Sequence, residues 1–388
     1  MSDKCCLYRV PYILQRHNEK AYVPNAFSIG PWHHKKTRFK ETQKIKLKYL
    51  KGLLSKAKRK PEDLVKAIAE IEQEARDCYA GPIDVSGDEF VEILVLDGCF
   101  MIELFRKHDN RELVEDDDPI FHMSCMLQYL YHDLILLENQ IPWLVLECLF
   151  DLQTAPESKP LDELALQFFH IILPLTPSPM QKRCQGQKHL LDLLRNWLVL
   201  CSEKQEDGKW VAMPSASDLA GAGIKFKKGN TESILDIKFS INHGVLEIPP
   251  LLIQETTEVI LRNLISYEQC HPKCSNKITS YAILLDNLIN TTQDMDILTR
   301  DGIITNWLNP DDAIQFFNKL YHDAYLKSYC YMQLCQDVNK YRQRRWPRWR
   351  AILMSNYFST PWAAVSIVVA TAFLILAILQ TIFTIIGK

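Results

Sequence analysis

Apolar residues recur along most of this 388-residue chain every three or four positions, with polar residues between them. That spacing is the signature of amphipathic helices. It predicts helices over about 41–58, 61–79, 87–107, 119–151, 160–172, 188–202, 251–270, 277–290 and 310–340. Pro61 followed by Glu62 and Asp63 is a favourable start, with proline in the first turn and acids facing the helix dipole. One region changes period. Leu235 to Phe239 alternates, Asn242-His243-Gly244 turns, and Val245 to Ile248 alternates again before Pro249-Pro250, which predicts a short β-hairpin. No strand–helix alternation and no internal repeat is visible. The fold class expected is mainly α: a large multi-helix soluble domain with a short β-hairpin, plus one C-terminal transmembrane helix.

That last element follows from Ala363 to Ile386, which carries no charge and only Ser, Thr and Gln as polar interruptions. At about 1.5 Å per residue the run spans roughly 36 Å, enough for a hydrocarbon core of about 30 Å. Arg342, Arg344, Arg345, Arg348 and Arg350 precede it, interleaved with Trp346 and Trp349, and Trp362 stands at its entrance. Arginine favours the cytoplasmic flank of a span, and tryptophan settles at the headgroup level. The resulting map is an α-rich head over 1–341, with a sub-boundary near 174–187. A basic and aromatic juxtamembrane segment over 342–362 follows, then a helix through the bilayer over 363–386. Met1 to Gln15 has Arg9 and Pro11 inside its apolar patch and offers no signal-peptide core, so the head is expected in the cytosol.

Composition changes this picture little. A net charge of −2 gives no global pull toward nucleic acid, and the 12 cysteines are scattered rather than set in a disulfide framework. Between Lys35 and Lys60, 12 basic residues face one acid, Glu41, around a stripe of Ile45, Tyr49, Leu50, Leu53 and Leu54. Such a helix packs its stripe and solvates its lysines, or lies on an anionic membrane. Glu115 to Asp118 reads as a loop before Pro119 opens the next helix. The Walker, Rossmann, nucleophile-elbow and zinc-protease signatures are all missing, and no cofactor motif is present.

Candidate chemistry is sparse. His33-His34 has the ligand type for a metal but only distant companions, such as Cys270, His271 and Cys274, so hydrogen bonds to nearby carbonyls beside a Gly30-Pro31 turn are the simpler role. Glu138, Asn139 and Gln140 interrupt an apolar run ahead of Pro142, which a helix can bury only if each is hydrogen-bonded. Two roles compete. They orient neighbouring elements, with Asp97 and His132 or Asp133 as partners. Alternatively, Glu138 pairs with Asp97 for acid–base work, which requires a shared pocket.

Several of these segments occur together as Val10-Pro11, Tyr22-Val23-Pro24, Ile29 to His34, Leu96 to Leu104 and Asp133 to Pro142. Pro214-Ser215-Ala216, Ala222 to Phe226, Arg262 to Ile265 and Tyr357 to Trp362 continue the series. In these motifs the chain resembles, over nearly its whole length, the plant family known as domain of unknown function 247, also called UPF0481. The resemblance implies a helical plant protein with a C-terminal span. Some grass members are associated with self-incompatibility and others with stress responses, and the family assigns no catalytic residues. The motif residues Gly30, Pro31, His33, His34, Asp97, Glu138, Asn139, Gln140 and Pro142 are therefore expected to be structural. The function expected is that of a non-enzymatic, membrane-anchored interaction protein with an unidentified protein partner, no nucleic acid and no cofactor. The competing expectation is an enzyme with an acid–base site around Asp97, Glu138 and His33. Oligomeric state is left open by the sequence.

Overall fold

The computed structural model describes residues 5–57, 60–153, 159–172, 186–200, 202, 207–231, 233–344 and 361–386. Its first half is built around the Gly87–Asp109 helix, which is buried along almost its whole length. Ser86 caps its start by accepting from the Glu89 amide, and Arg106, Lys107 and His108 meet the dipole at its end. Helices Lys40–Ala57, Pro61–Glu70, Trp143–Gln153 and Leu161–Phe169 pack around it. Gly98 permits the closest approach: a Cβ there would stand 2.5 Å from Leu149 Cδ1 on the Trp143–Gln153 helix. The second half is centred on the buried Glu255–Cys270 helix, packed by Lys277–Leu288 and Leu190–Leu200. One apolar cluster runs through both halves, from Leu7 to Tyr341.

The predicted hairpin is present. Strands β2 (Lys238–Ser240) and β3 (Val245–Ile248) pair antiparallel with Phe239 opposite Leu246. Two further pairings are parallel and escaped the sequence reading. Strand β1 (Lys225–Lys228) joins the other edge of β3, and β4 (Leu251–Ile253) pairs with β5 (Ile304–Asn306), with Leu252 opposite Thr305. The 251–270 prediction is corrected accordingly. Leu251 to Ile253 is extended, and the helix begins at Glu255 behind a capping box of Gln254 and Thr257.

Two long helix predictions are also corrected. The stretch 310–340 divides into helices Pro310–Lys319 and Met332–Arg342, and 119–151 divides into Pro119–His122, Ser124–Asp133 and Trp143–Gln153. Asp118 starts the first of these, accepting from the Ile120 and Phe121 amides, so the acidic loop ends in a helix cap. Glu138, Asn139 and Gln140 consequently lie in the turn Leu134–Pro142, not inside a helix. The suggested sub-boundary at 174–187 falls mostly on residues outside the described ones.

The C-terminal helix runs Pro361–Ile386 and is long and apolar enough to cross a membrane. Its 369–386 window has a mean hydropathy of 2.4, with none of it buried against the head. Thr381 and Thr384 donate to the Ala377 and Gln380 carbonyls at 2.8 and 2.7 Å, which satisfies their hydroxyls within the helix.

Candidate functional site

The N-terminal segment 5–39 crosses the first half of the head as a strap of extended backbone broken by short helical turns. Its apolar side chains enter the core: Leu7, Phe27 and Ile29 are essentially inaccessible, and Phe27 stacks on Phe100 with centroids 5.5 Å apart. Burial strips this backbone of water, so its amides and carbonyls need partners. Buried polar side chains supply them. Asp133, at the end of the Ser124–Asp133 helix, accepts from the amides of Asn25, Ala26 and Phe27, each at 2.7 Å. Asn139 accepts from the Ile29 amide at 2.6 Å and donates to the carbonyls of Phe27 and Asp133. Glu138 Oε1 accepts from the Val10 amide at 2.8 Å and from Gln15 Nε2 at 3.1 Å. Gln140 donates to the Leu134 and Leu136 carbonyls and accepts from the Leu191 amide.

Asp97 completes the set from the central helix. Its Oδ2 accepts from the Gly30 amide at 2.8 Å, and its Oδ1 receives Lys46 Nζ at 2.5 Å. Lys46, 0% exposed, also donates to the Ser28 carbonyl. Gly30 is required here twice over. Its φ is +72°, and a Cβ would stand 2.6 Å from the Gln140 carbonyl oxygen. Pro31 follows it into the interior, so Gly30-Pro31 forms the expected turn.

The acid–base triangle of Asp97, Glu138 and His33 is only partly assembled. His33 Nε2 stands 4.0 Å from Glu138 Oε2, whereas Asp97 is engaged by Lys46 and the strap. Burial drives the His33 pKa down to about 3, helped by the positive charges of Lys36, Arg9 and Arg38. Burial likewise raises the Glu138 carboxyl, against the lowering effects of the Val10 amide, Arg9, Lys36 and Gln15. The expectation that His33 bonds a carbonyl is corrected, because neither ring nitrogen has a hydrogen-bond partner. His34 is half-buried beside it.

Other candidates have separate roles. His271 Nε2 meets Lys188 Nζ at 2.5 Å, and Cys270 Sγ lies 4.0 Å from the Arg9 carbonyl. Among the described residues no group of three or more His, Cys, Asp or Glu side chains is placed to hold a metal ion. Pro142 opens the Trp143–Gln153 helix, whose first amide donates to the Lys188 carbonyl. Of the juxtamembrane residues, Arg344 donates to the Ile241 carbonyl, while Arg345, Trp346, Arg348, Trp349 and Arg350, together with the Trp362 side chain, lie outside the description.

Sequence reasoning missed Lys46, Asn263 and Glu268. Lys46 sits on the inward stripe of its helix with Thr42, Tyr49 and Leu53, so its phase was the available signal. Asn263 accepts from the Leu137 amide and donates to the Ala21 carbonyl, tying turn, strap and Glu255–Cys270 helix together. Glu268 pairs with Arg195 at 3.1 Å and takes the Ile278 and Thr279 amides. On the surface, an apolar groove of about 540 Å³ runs between Ile171 and Ile172, β4, β5 and Trp307. Ile171 is 65% and Trp307 70% exposed.

A helical head closed by an N-terminal strap, followed by an apolar helix long enough for a bilayer, defines a class of architecture rather than a chemistry. The chain belongs to the DUF247 family, described as plant proteins of unknown function, whose model matches residues 7–376. It is similar to the Arabidopsis thaliana "UPF0481 protein At3g47200", at 30% identity over 98% of this chain and 86% of that protein. It is also similar to the "Putative UPF0481 protein At3g02645" of the same plant, at 21% identity over 96% of this chain and 89% of that one. No solved structure matches.

Proposed function

We propose that the protein is a non-enzymatic, single-pass membrane-anchored interaction protein in plant signalling or recognition. Its head would lie in the cytosol, and its Pro361–Ile386 helix in the bilayer. The observation that carries this reading is the commitment of the buried polar residues. Asp97, Asp133, Glu138 and Asn139 hold strap backbone, and an acid–base site needs such groups open to a substrate. The exposed apolar groove beside Trp307 supports a partner-binding role, because a contiguous apolar patch on a soluble head marks a contact surface. The five arginines before the span support the cytosolic orientation.

Protease protection of the tagged head in intact microsomes tests the topology. Digestion of the head is expected, with Asn290 of the glycosylation sequon Asn290-Thr291-Thr292 unmodified, and a protected, glycosylated head overturns the cytosolic assignment. The binding role is tested with a photoreactive residue at Trp307, compared with one at exposed Lys44. A specific partner, reconstituted with the purified full chain, should lose about 2 kcal/mol or more of affinity on Trp307→Ala, as buried aromatic anchors do. Equal crosslinking at both positions would remove the groove from the proposal.

A further inference from the structure

The Glu255–Cys270 helix turns Thr257, Ile260 and Leu261 to the apolar groove and its opposite face, with Glu258, Val259 and Arg262, to a second cavity. That cavity measures about 620 Å³, within the roughly 300–1,000 Å³ of small-molecule sites, and is bounded also by the strap, the Ser124–Asp133 helix and the Pro310–Lys319 helix. Most of its charged groups are already engaged. Arg262 gives its Nε to Glu258 at 2.6 Å and bonds the Tyr22 hydroxyl, while Asn18 Nδ2 donates to the same Glu258 oxygen at 3.0 Å. His17 pairs with Asp323 at 2.6 Å, Asp312 accepts from Asn309 Nδ2, and Lys319 donates to Gln315 Oε1. Over the lining as a whole, Lys20, Arg262 and Lys319 balance Glu255, Glu258 and Asp312. An ion entering here meets no net field of the opposite sign.

The groups left open are mostly neutral. His132 is 9% exposed, and its Nδ1 meets Asp133 Oδ1 at 2.8 Å. That carboxylate already takes three strap amides and can only accept, so Nδ1 carries the proton and Nε2 is an open acceptor. The side-chain amides of Asn25 and Gln128 and the Tyr129 hydroxyl make no hydrogen bond to another described residue. Gln128 and His132 stand one turn apart on the Ser124–Asp133 helix, so they share a face. Tyr129, 42% exposed, and Phe316 supply aromatic wall, and an aromatic face attracts weakly positive C–H groups. A hydroxyl donates and accepts through one atom, so a ligand with several of them satisfies an acceptor-only imidazole and two-way amides alike. An ionised group would be desolvated here without a free counter-charge. We propose that this cavity binds a neutral sugar, a mono- or disaccharide. One hydroxyl donates to His132 Nε2, others exchange hydrogen bonds with Asn25 and Gln128, and a C–H face lies against Tyr129. The site is independent of the membrane-tethered reading and stands or falls separately from it.

Calorimetric titration of the full chain in lipid nanodiscs, referenced to empty nanodiscs, tests it with glucose, galactose, sucrose and maltose. At least one is expected to saturate a single site with a Kd of about 1 mM or tighter. Glucuronate and galacturonate, which carry a carboxylate on the same rings, should bind about tenfold more weakly than the tightest neutral sugar, as should cyclohexylmethanol, a ring with one hydroxyl. His132→Asn keeps a donor for Asp133 and withdraws the Nε2 acceptor, so it should weaken that sugar about tenfold. Gln128→Leu and Tyr129→Ala, both at exposed positions, should each weaken it about fivefold with the unfolding midpoint unchanged, and they serve if His132→Asn does not fold. Lys20→Met should leave its affinity within about twofold. No saturable binding of any of the four sugars, a uronate or the cyclohexyl alcohol binding as tightly as the best of them, or affinity unmoved by the substitutions at 128, 129 and 132 would each overturn the proposal.

Discussion

The 5–39 strap and the Pro361–Ile386 helix solve the same problem by opposite means. Both leave polar backbone where its neighbours are apolar side chains. The helix answers internally, each amide bonding a carbonyl one turn away, and even Thr381 and Thr384 bond within it. The strap lacks regular secondary structure over most of its length, so many of its hydrogen bonds come from side chains of other elements, among them Asp97, Asp133, Glu138, Asn139 and Asn263. The difference teaches that apolarity and burial are separable. The most apolar element is uncovered, while the buried stretch 27–31 of the strap is enclosed by charge and amide.

Removing either solution should fail in a different way. Ending the chain after Thr360 should move the protein from the membrane pellet to the supernatant, with the head's unfolding midpoint unchanged. Retention in the pellet would mean that the head itself binds membrane. Asp97→Ala should cost about 3–5 kcal/mol in denaturant melts, because Lys46 would be left charged and unpaired in the core. The double variant Lys46→Met/Asp97→Leu should recover part of that loss. A cost below about 1 kcal/mol for Asp97→Ala would show that the pair does not lock the strap.

Smaller effects sharpen the same contrast. Asn139→Ala removes three bonds to turn and strap and should cost about 1–3 kcal/mol, with faster amide exchange at Ile29 and unchanged exchange in the C-terminal helix. His33 gives the pH-dependent case. Its folded pKa of about 3 lies below the ordinary 6.5, so between those values the unfolded chain binds a proton that the folded one does not. Stability should therefore fall as pH drops through that window, by about 2 kcal/mol from this group at pH 5. Glu138, with its pKa raised, works in the opposite sense: its contribution declines as pH rises above the ordinary 4.5. His33→Leu should flatten the acid limb and cost little at neutral pH, since the ring nitrogens have no partners to lose. An unchanged acid limb would place the titrating group elsewhere.

The sequence made the helical class, the hairpin and the apolar C-terminal run legible, because each rests on local periodicity. It did not show the turn at Leu134–Pro142. Leu134 to Leu137 is an unbroken apolar run with no turn residue, and what holds it open is Asn263, bonded to the Leu137 amide from 126 residues away. Strand β4 was read as helix for the same reason, since its partner β5 lies some fifty residues later. The candidate site was half legible. Glu138, Asn139 and Gln140 stood out as polar residues in apolar surroundings, and each is hydrogen-bonded to backbone of the strap, the turn or the Leu190–Leu200 helix. Lys46 was hidden by its neighbours, one lysine in a basic stretch whose other described members are exposed or half-buried.

The order of these contacts along the chain carries a consequence for synthesis. The strap leaves the ribosome before any of its partners exist, and its bond from Asn263 to the Ala21 carbonyl spans 242 residues. At translation rates of about 5–20 residues per second, the strap waits on the order of ten seconds or more, with Leu7, Phe27 and Ile29 uncovered. A segment made before all of these partners is thus among the last to be secured. Chaperone demand during synthesis should track the time taken to translate the Glu255–Cys270 helix rather than the length of the strap.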